Sequence, residues 1–401
     1  MKTFKKMLCR TYQKAMYVGM FFMPWRQPEL LQGVGCFNNV VDFLKKRNVN
    51  RPLVVCDKAT LERKALDGFF ASAQGELNYT VFDGVQPNPT VKQAEQGAAL
   101  YVYESCDGIL AFGGGSSIDC AKAIGALIAR PEKPISQMKG LLKVCKKLPP
   151  LVAVPTTAGT GSECTVAAVI TDSETHDKYA INDFSLVPHY AVLDPVLTVG
   201  LPPFLTATTG MDALTHAVEA YVGRSNTAQT KRQAEDAVAL IFGNLEQCVV
   251  NGNNLQARAN MQEAAFLAGL AFTRAYVGYV HALAHALGGQ YNVAHGLANA
   301  VLLPVVLKKY GNSANKKLAK LAVVAKVASA DDSEGIAAAK FIAAVEELNE
   351  KLGIPKNFDG KILAEDIPML AAHAEKEANP LYPVPQLWDK SDFAEVLQKV
   401  K

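Results

Sequence analysis

Between residues 36 and 200 the chain alternates short apolar runs with helical stretches, and beyond residue 205 the short runs stop. The runs are "RPLVVCD" (51–57), "NYTVFDGV" (78–85), "DGILAFGG" (107–114) and "PLVAVPT" (150–156). Runs of this length and apolarity read as strands buried within a sheet. Between them lie "LDGFFASAQ", the end of one helix, and the helical stretches "TVKQAEQGAALYVYESC" and "SSIDCAKAIGALIAR". A strand–helix–strand–helix order admits few solutions, and it predicts a doubly wound, mostly parallel sheet. The segment "TVAAVITDSETHDKYAINDFSLVPHYAVLD" (165–194) instead has period-two stretches about a turn-rich middle. It predicts an antiparallel hairpin and then a last strand. From 205 to 400 the chain is rich in Ala, Leu, Lys, Glu and Gln with helical periodicity, broken at Asn251-Gly252, "GIPKNF" and "NPLYPVP". That predicts a helical domain, with the boundary between Val199 and Pro203.

A length of 401 residues, 49% hydrophobic and 20% charged, suffices for two domains with cores of their own. The formal net charge is +3, and no Lys/Arg run is interleaved with aromatics, so no nucleic-acid partner is expected. Eight scattered cysteines form no C-x-x-C pair, which points away from a disulfide framework and toward a reducing, cytoplasmic setting. The N-terminus is basic and then apolar, but the apolar run Ala15 to Met23 lacks a clear cleavage site and is too short to span a bilayer. Phe4, Met7, Leu8, Tyr12, Ala15 and Met16 share one helical stripe. Residues 1–30 therefore read as an amphipathic helix packing on the protein or a partner subunit, with a membrane-surface helix as the alternative.

"ILAFGGGSSIDCAKAIG" is a strand, a turn of Gly113, Gly114 and Gly115, and a helix starting near Ser116. Glycines allow close approach of backbone to ligand, and free N–H groups at a helix start attract phosphate. The plain alternative is a tight turn with Ser116 as the helix cap. The loop is not G-x-G-x-x-G, and the first strand carries no such loop. Asp57, at the end of that strand, is placed either to bind both ribose hydroxyls of an adenosine, favouring NAD over NADP, or to cap the next helix. "PTTAGTGSE" (155–163) brings the hydroxyls of Thr156, Thr157, Thr160 and Ser162 with Gly159 and Gly161, which suits a phosphate or a nicotinamide amide, or merely a turn.

The helical half holds the metal-binding chemistry. In "TGMDALTHAVEAYV" Asp212 and His216 are four apart, on one face of a helix. In "GYVHALAHALGGQYNVAHGLANAVLLP" His281 and His285 are four apart and His295 follows a break. Position 282 is Ala, so this is not the H-E-x-x-H helix of a zinc protease. Imidazoles with one carboxylate suit Fe2+ or Zn2+ rather than Mg2+ or Ca2+. Five candidates, Asp212, His216, His281, His285 and His295, compete for four positions, and spacing alone leaves the odd one open.

Taken together, "DGVQPNPT", "GGGSSIDCAKAIG", "PTTAGTGSE", "LPPFLTATTGMDALTHAVEAYV" and the histidine segment resemble the iron-containing, group III alcohol dehydrogenases. They stand in family order and cover most of residues 35–310. The resemblance implies an α/β Rossmann-like dinucleotide-binding domain at 31–200, followed by an all-α metal-binding domain at 201–401, the dehydroquinate synthase-like architecture. It implies Asp212, His216, His281 and His295 as metal ligands, with His285 facing the substrate pocket as the catalytic candidate. Phe272, Tyr276 and Tyr279 would shape that pocket. It implies NAD(H) held by Asp57, Gly113, Gly114, Gly115, Ser116, Ser117, Asp119, Thr156, Thr157, Thr160, Gly161 and Ser162, with Lys178 and Leu197 as further contacts. NADP is the secondary cofactor, and Zn2+ the secondary metal after Fe2+. The implied reaction interconverts a small alcohol or diol and its carbonyl product by hydride transfer, in a homodimer or larger homo-oligomer without membrane attachment. A zinc polyol dehydrogenase and a dehydroquinate synthase-like lyase share the architecture. The lyase would need a basic cluster at the metal, and the metal motifs are poor in Lys and Arg. A metallohydrolase or a plain binding module leaves the glycine loop unexplained. Two features depart from the family pattern: the long N-terminal helix, and Asn379-Pro380-Leu381 where the family has Asn-Pro-Arg.

Overall fold

The computed structural model describes residues 3–174 and 178–401. It divides into two compact units, one formed by residues 24–200 and the other by residues 1–23 with 201–401.

The 24–200 unit carries strands β1 (Glu29–Gln32), β2 (Pro52–Asp57), β3 (Thr80–Val85), β4 (Gly108–Gly113), β5 (Gly140–Leu141), β6 (Leu151–Pro155), β7 (Ala167–Thr171), β8 (Lys178–Asn182) and β9 (Tyr190–Leu193). Six of them form one sheet in the order β1-β9-β6-β4-β2-β3, with every neighbouring pair parallel. Alternation along each central strand feeds two cores. Leu53, Val55, Ile109, Ala111, Leu151 and Ala153 pack on one side, and Val54, Cys56, Leu110, Phe112, Val152 and Val154 on the other. That is why these runs read as continuously apolar rather than alternating. From β2 the chain steps outward to β3, then crosses back to β4 and grows the opposite way through β6 and β9. The reversal leaves a switch point between β2 and β4, whose carboxyl ends are Asp57 and Gly113. Open α/β sheets bind ligands at such a point.

A smaller sheet sets β7 against β8 as the antiparallel hairpin, with β5 parallel to β8, and β9 returns to the main sheet as its last strand. Residues 175–177, in the turn-rich middle foreseen for this hairpin, lie outside the described residues.

Beyond residue 201 the described residues hold helices, from Pro203–Val222 through Lys390–Val400, and no strand. Pro203–Val222 is buried on nearly every face, as expected of a helix at the centre of a bundle. The N-terminal helix, Thr3–Met20, attaches to this unit by the side opposite its apolar stripe. Arg10 donates to the carbonyls of Val384 and Pro385, and Gln13 to those of Pro380 and Tyr382. Phe4, Met7, Leu8 and Tyr12 of the stripe are exposed. Of the surfaces expected for the stripe, this chain itself is not the one it packs on, because Arg10 and Gln13 on the other face satisfy the carbonyls of a proline-rich segment.

Candidate metal centre and glycine loops

Asp212, His216 and Glu219 stand at i, i+4 and i+7 on helix Pro203–Val222, so they form one stripe. All three are at most 5% exposed. Buried charge of this kind needs a partner or a metal. Two more helices complete the cluster: Tyr279–Tyr291 brings His281, and His295–Tyr310 begins at His295. Gly296 permits the second approach, since a Cβ there would lie 2.4 Å from the Thr208 carbonyl oxygen. One ligand atom each from Asp212, His216, His281 and His295 lies within 4.8 Å of the others. Among the described residues this is the one group of three or more His, Cys, Asp or Glu side chains so placed.

Glu219, which sequence reasoning missed, organises the cluster. Its carboxylate accepts the backbone N–H of Gly278 (2.8 Å) and of Val280 (2.7 Å), and so caps helix Tyr279–Tyr291 from another helix. It also meets His281 Nδ1 at 2.6 Å. An imidazole that donates from Nδ1 keeps its lone pair on Nε2. Burial pushes the Glu219 carboxyl up to about 8, against the pull of those N–H donors. Burial and the neighbouring imidazoles hold His281 well below the usual histidine range, so the ring stays neutral and able to ligate. The signal was present in the sequence: Glu219 lies three residues past His216 on the same stripe.

Asn299 gives the test of fit. Its Nδ2 lies 2.6 Å from Asp212 Oδ1, 3.2 Å from His281 Nε2 and 3.1 Å from His295 Nε2. An amide has two hydrogens for those three acceptors, while Asn299 Oδ1 is buried without a hydrogen-bond partner. A cation among the same acceptors satisfies all of them at once, and one carboxylate with three imidazoles is a donor set for Fe2+ or Zn2+. The cluster therefore fits a divalent metal.

His285 stands beside this group rather than in it. Its ring stacks on His295, with centroids 5.2 Å apart and planes 18° apart. Its Nδ1 meets Glu377 Oε1 at 2.8 Å. Phe272 stacks on His216, with centroids 4.2 Å apart. Tyr279 is fully buried and bonds Asn379 and the Trp388 N–H, so it belongs to the core and not to a pocket wall.

In the α/β unit the loops after β4 and β6 lie side by side, joined by Thr156 N–H donating to the Gly113 carbonyl. The helix after β4 starts at Gly115 with Gly114 as cap, and no side chain caps it, so Ser116 does not fill that role. Helix-end N–H groups without a side-chain acceptor are where an anion binds. Gly113 takes φ +142, and a Cβ on Gly115 would lie 2.8 Å from Thr160 Cγ2, so the two loops close up only on glycine. Ser162 Oγ donates to Asp119 Oδ1 (2.6 Å), and Asp119 Oδ2 accepts from Val169 N–H (3.0 Å), so this pair braces the loops. Gly161 is left-handed, Ser117 is buried, and Thr157 is the side chain nearest a Cβ on Gly114. Asp57 caps the following helix through Thr60 N–H (2.6 Å) while standing at the switch point. Lys178 donates to Asn88 Oδ1, and Leu197 packs against the core behind the sheet.

The chain matches the model of "Iron-containing alcohol dehydrogenase" over residues 27–195 and that of "Fe-containing alcohol dehydrogenase family, C-terminal" over residues 206–400. It is 44% identical to a 1,3-propanediol dehydrogenase of Klebsiella pneumoniae, over 76% of this chain and 78% of that one. It is 39% identical to alcohol dehydrogenase 4 of Schizosaccharomyces pombe, over 93% and 88%. The solved structure of a 1,3-propanediol oxidoreductase superposes with TM-score 0.91 at 37% identity, covering 95% of this chain and all of that one. With both units matched, the chain belongs to the iron-containing alcohol dehydrogenase family.

Proposed function

We propose that Asp212, His216, His281 and His295 hold one divalent metal, Fe2+ or alternatively Zn2+, and that the protein oxidises short alcohols or diols reversibly with NAD. The convergence of these four side chains, with Glu219 fixing the tautomer of His281, carries this reading. When bound, the metal supplies a Lewis acid for the substrate oxygen, and the nicotinamide is the hydride acceptor. The chain supplies everything else. The helix start at Gly115 and Ser116, which no side chain caps, offers N–H groups to a pyrophosphate, and Asp57 offers a carboxylate to a ribose. His285 holds the proton that leaves the substrate hydroxyl. Phe272 and the apolar residues around the histidines exclude water, which strengthens electrostatic interactions at the site.

The relatives named above are diol and alcohol dehydrogenases, which supports a short alcohol or diol over the lyase and the zinc polyol alternatives. All eight cysteines are free, in keeping with a cytoplasmic setting. From the family resemblance we infer a homodimer or larger homo-oligomer. Among the described residues no helix is long and apolar enough to cross a membrane. His281→Ala is expected to lose bound metal together with NADH production from short alcohols and diols. Retention of both would overturn the assignment.

A further inference from the structure

We propose that Glu377, carried by helix Ile367–Ala378, is a positioning residue that fixes the tautomer and ring orientation of His285 for proton transfer. The inference rests on the reading of His285 as the proton-handling residue. Glu377 Oε1 lies 2.8 Å from His285 Nδ1 and also accepts the Tyr382 hydroxyl at 2.7 Å. Tyr382 is buried, and desolvation holds its phenol well above the usual range, so it stays a donor. One oxygen thus accepts two hydrogen bonds, and His285 must meet it with Nδ1–H. A neutral imidazole then has its lone pair on Nε2. The ring is stacked on His295 on one side and tethered to Glu377 at the other, which favours one orientation. This leaves Nε2 as the nitrogen that can take a proton from the substrate hydroxyl, breaking O–H and forming Nε2–H as hydride leaves for the nicotinamide.

Tyr382 follows Asn379-Pro380-Leu381, the stretch that departs from the family pattern, and Asn379 anchors it by bonding Tyr279 and the Trp388 carbonyl. Glu377 Oε1 bonds His285 and Tyr382, neither of them among the four ligand candidates, so its removal should leave metal binding intact.

The test is a double-mutant cycle on the metal-loaded enzyme, using His285→Ala, Glu377→Ala and the double variant, with Glu377→Gln as the isosteric control. Metal content and thermal unfolding are measured beside kcat and KM. We expect Glu377→Ala to lower kcat by about 10- to 100-fold. Metal content and KM should hold, and the double variant should be no slower than His285→Ala. Glu377→Gln keeps an acceptor oxygen and should fall between Glu377→Ala and the parent. If His285→Ala lowers kcat while Glu377→Ala and Glu377→Gln do not, or if the two effects simply multiply, Glu377 does not act through His285. If His285→Ala leaves kcat unchanged, the His285 reading itself fails. A loss of metal in Glu377→Ala would make its role structural and overturn the inference.

Discussion

His189 of the α/β unit and His281 of the helical unit are both imidazoles whose pKa is lowered by burial, yet they serve opposite ends. His189 Nδ1 accepts the Leu151 N–H at the edge of β6, so its lone pair is spent on the fold. His281 donates Nδ1 to Glu219, so its lone pair is kept for the cluster. The contrast extends to the two units. In the α/β unit Asp57, Asp119 and Ser162 are engaged in caps and braces, and the helix after β4 starts with no side-chain cap on its backbone N–H groups. In the helical unit the candidate ligand atoms are side chains, and the Glu219 carboxylate on a neighbouring helix holds one of them, His281, in tautomer and place.

The largest expected effect tests whether the side-chain site depends on helix spacing. Gly296→Ala would drive a Cβ into the Thr208 backbone and displace the start of the helix that carries His295. We expect a loss of roughly 1–3 kcal/mol in stability, with a fall in bound metal. Unchanged metal content by elemental analysis would mean that the cluster tolerates a shift between the two helices.

A smaller effect probes the backbone-built half. Asp57→Asn keeps an oxygen for Thr60 N–H but removes the charge that would repel a 2′-phosphate. Activity with NADP should rise relative to NAD while the melting temperature holds. No change in cofactor preference would mean that Asp57 serves the fold alone.

The smallest effect sharpens the contrast between the histidines. Burial lowers His189 from 6.5 to about 4, so the folded state resists a proton that the unfolded chain accepts. Stability from this group is present above pH 6.5 and is lost progressively as pH falls toward 4. His189→Gln should flatten the dependence of the unfolding midpoint on pH across that window. An unchanged slope would assign the acid sensitivity to other groups.

The alternation of buried runs was enough to read the parallel sheet, because a strand buried on both faces needs continuous apolar character. The hairpin and the helical half were legible from periodicity. The metal cluster was half legible: spacing put Asp212 with His216 on one face, but no local signal could say that His281 and His295 meet them from two other helices. Asn299 and Glu377 escaped because each acts through a partner distant in sequence, while Glu219 was marked locally only by its place on the Asp212–His216 stripe. The N-terminal helix was legible as amphipathic, but which face meets this chain was not, since the tertiary hydrogen bonds of Arg10 and Gln13 chose the face opposite the stripe.

The most direct measurement is the metal content per chain of three proteins loaded alike with Fe2+ or Zn2+: the parent, His281→Ala and His285→Ala. The account predicts about one metal per chain in the parent and in His285→Ala, and essentially none in His281→Ala. Equal metal in His281→Ala and the parent, or loss of metal in His285→Ala alone, would contradict it.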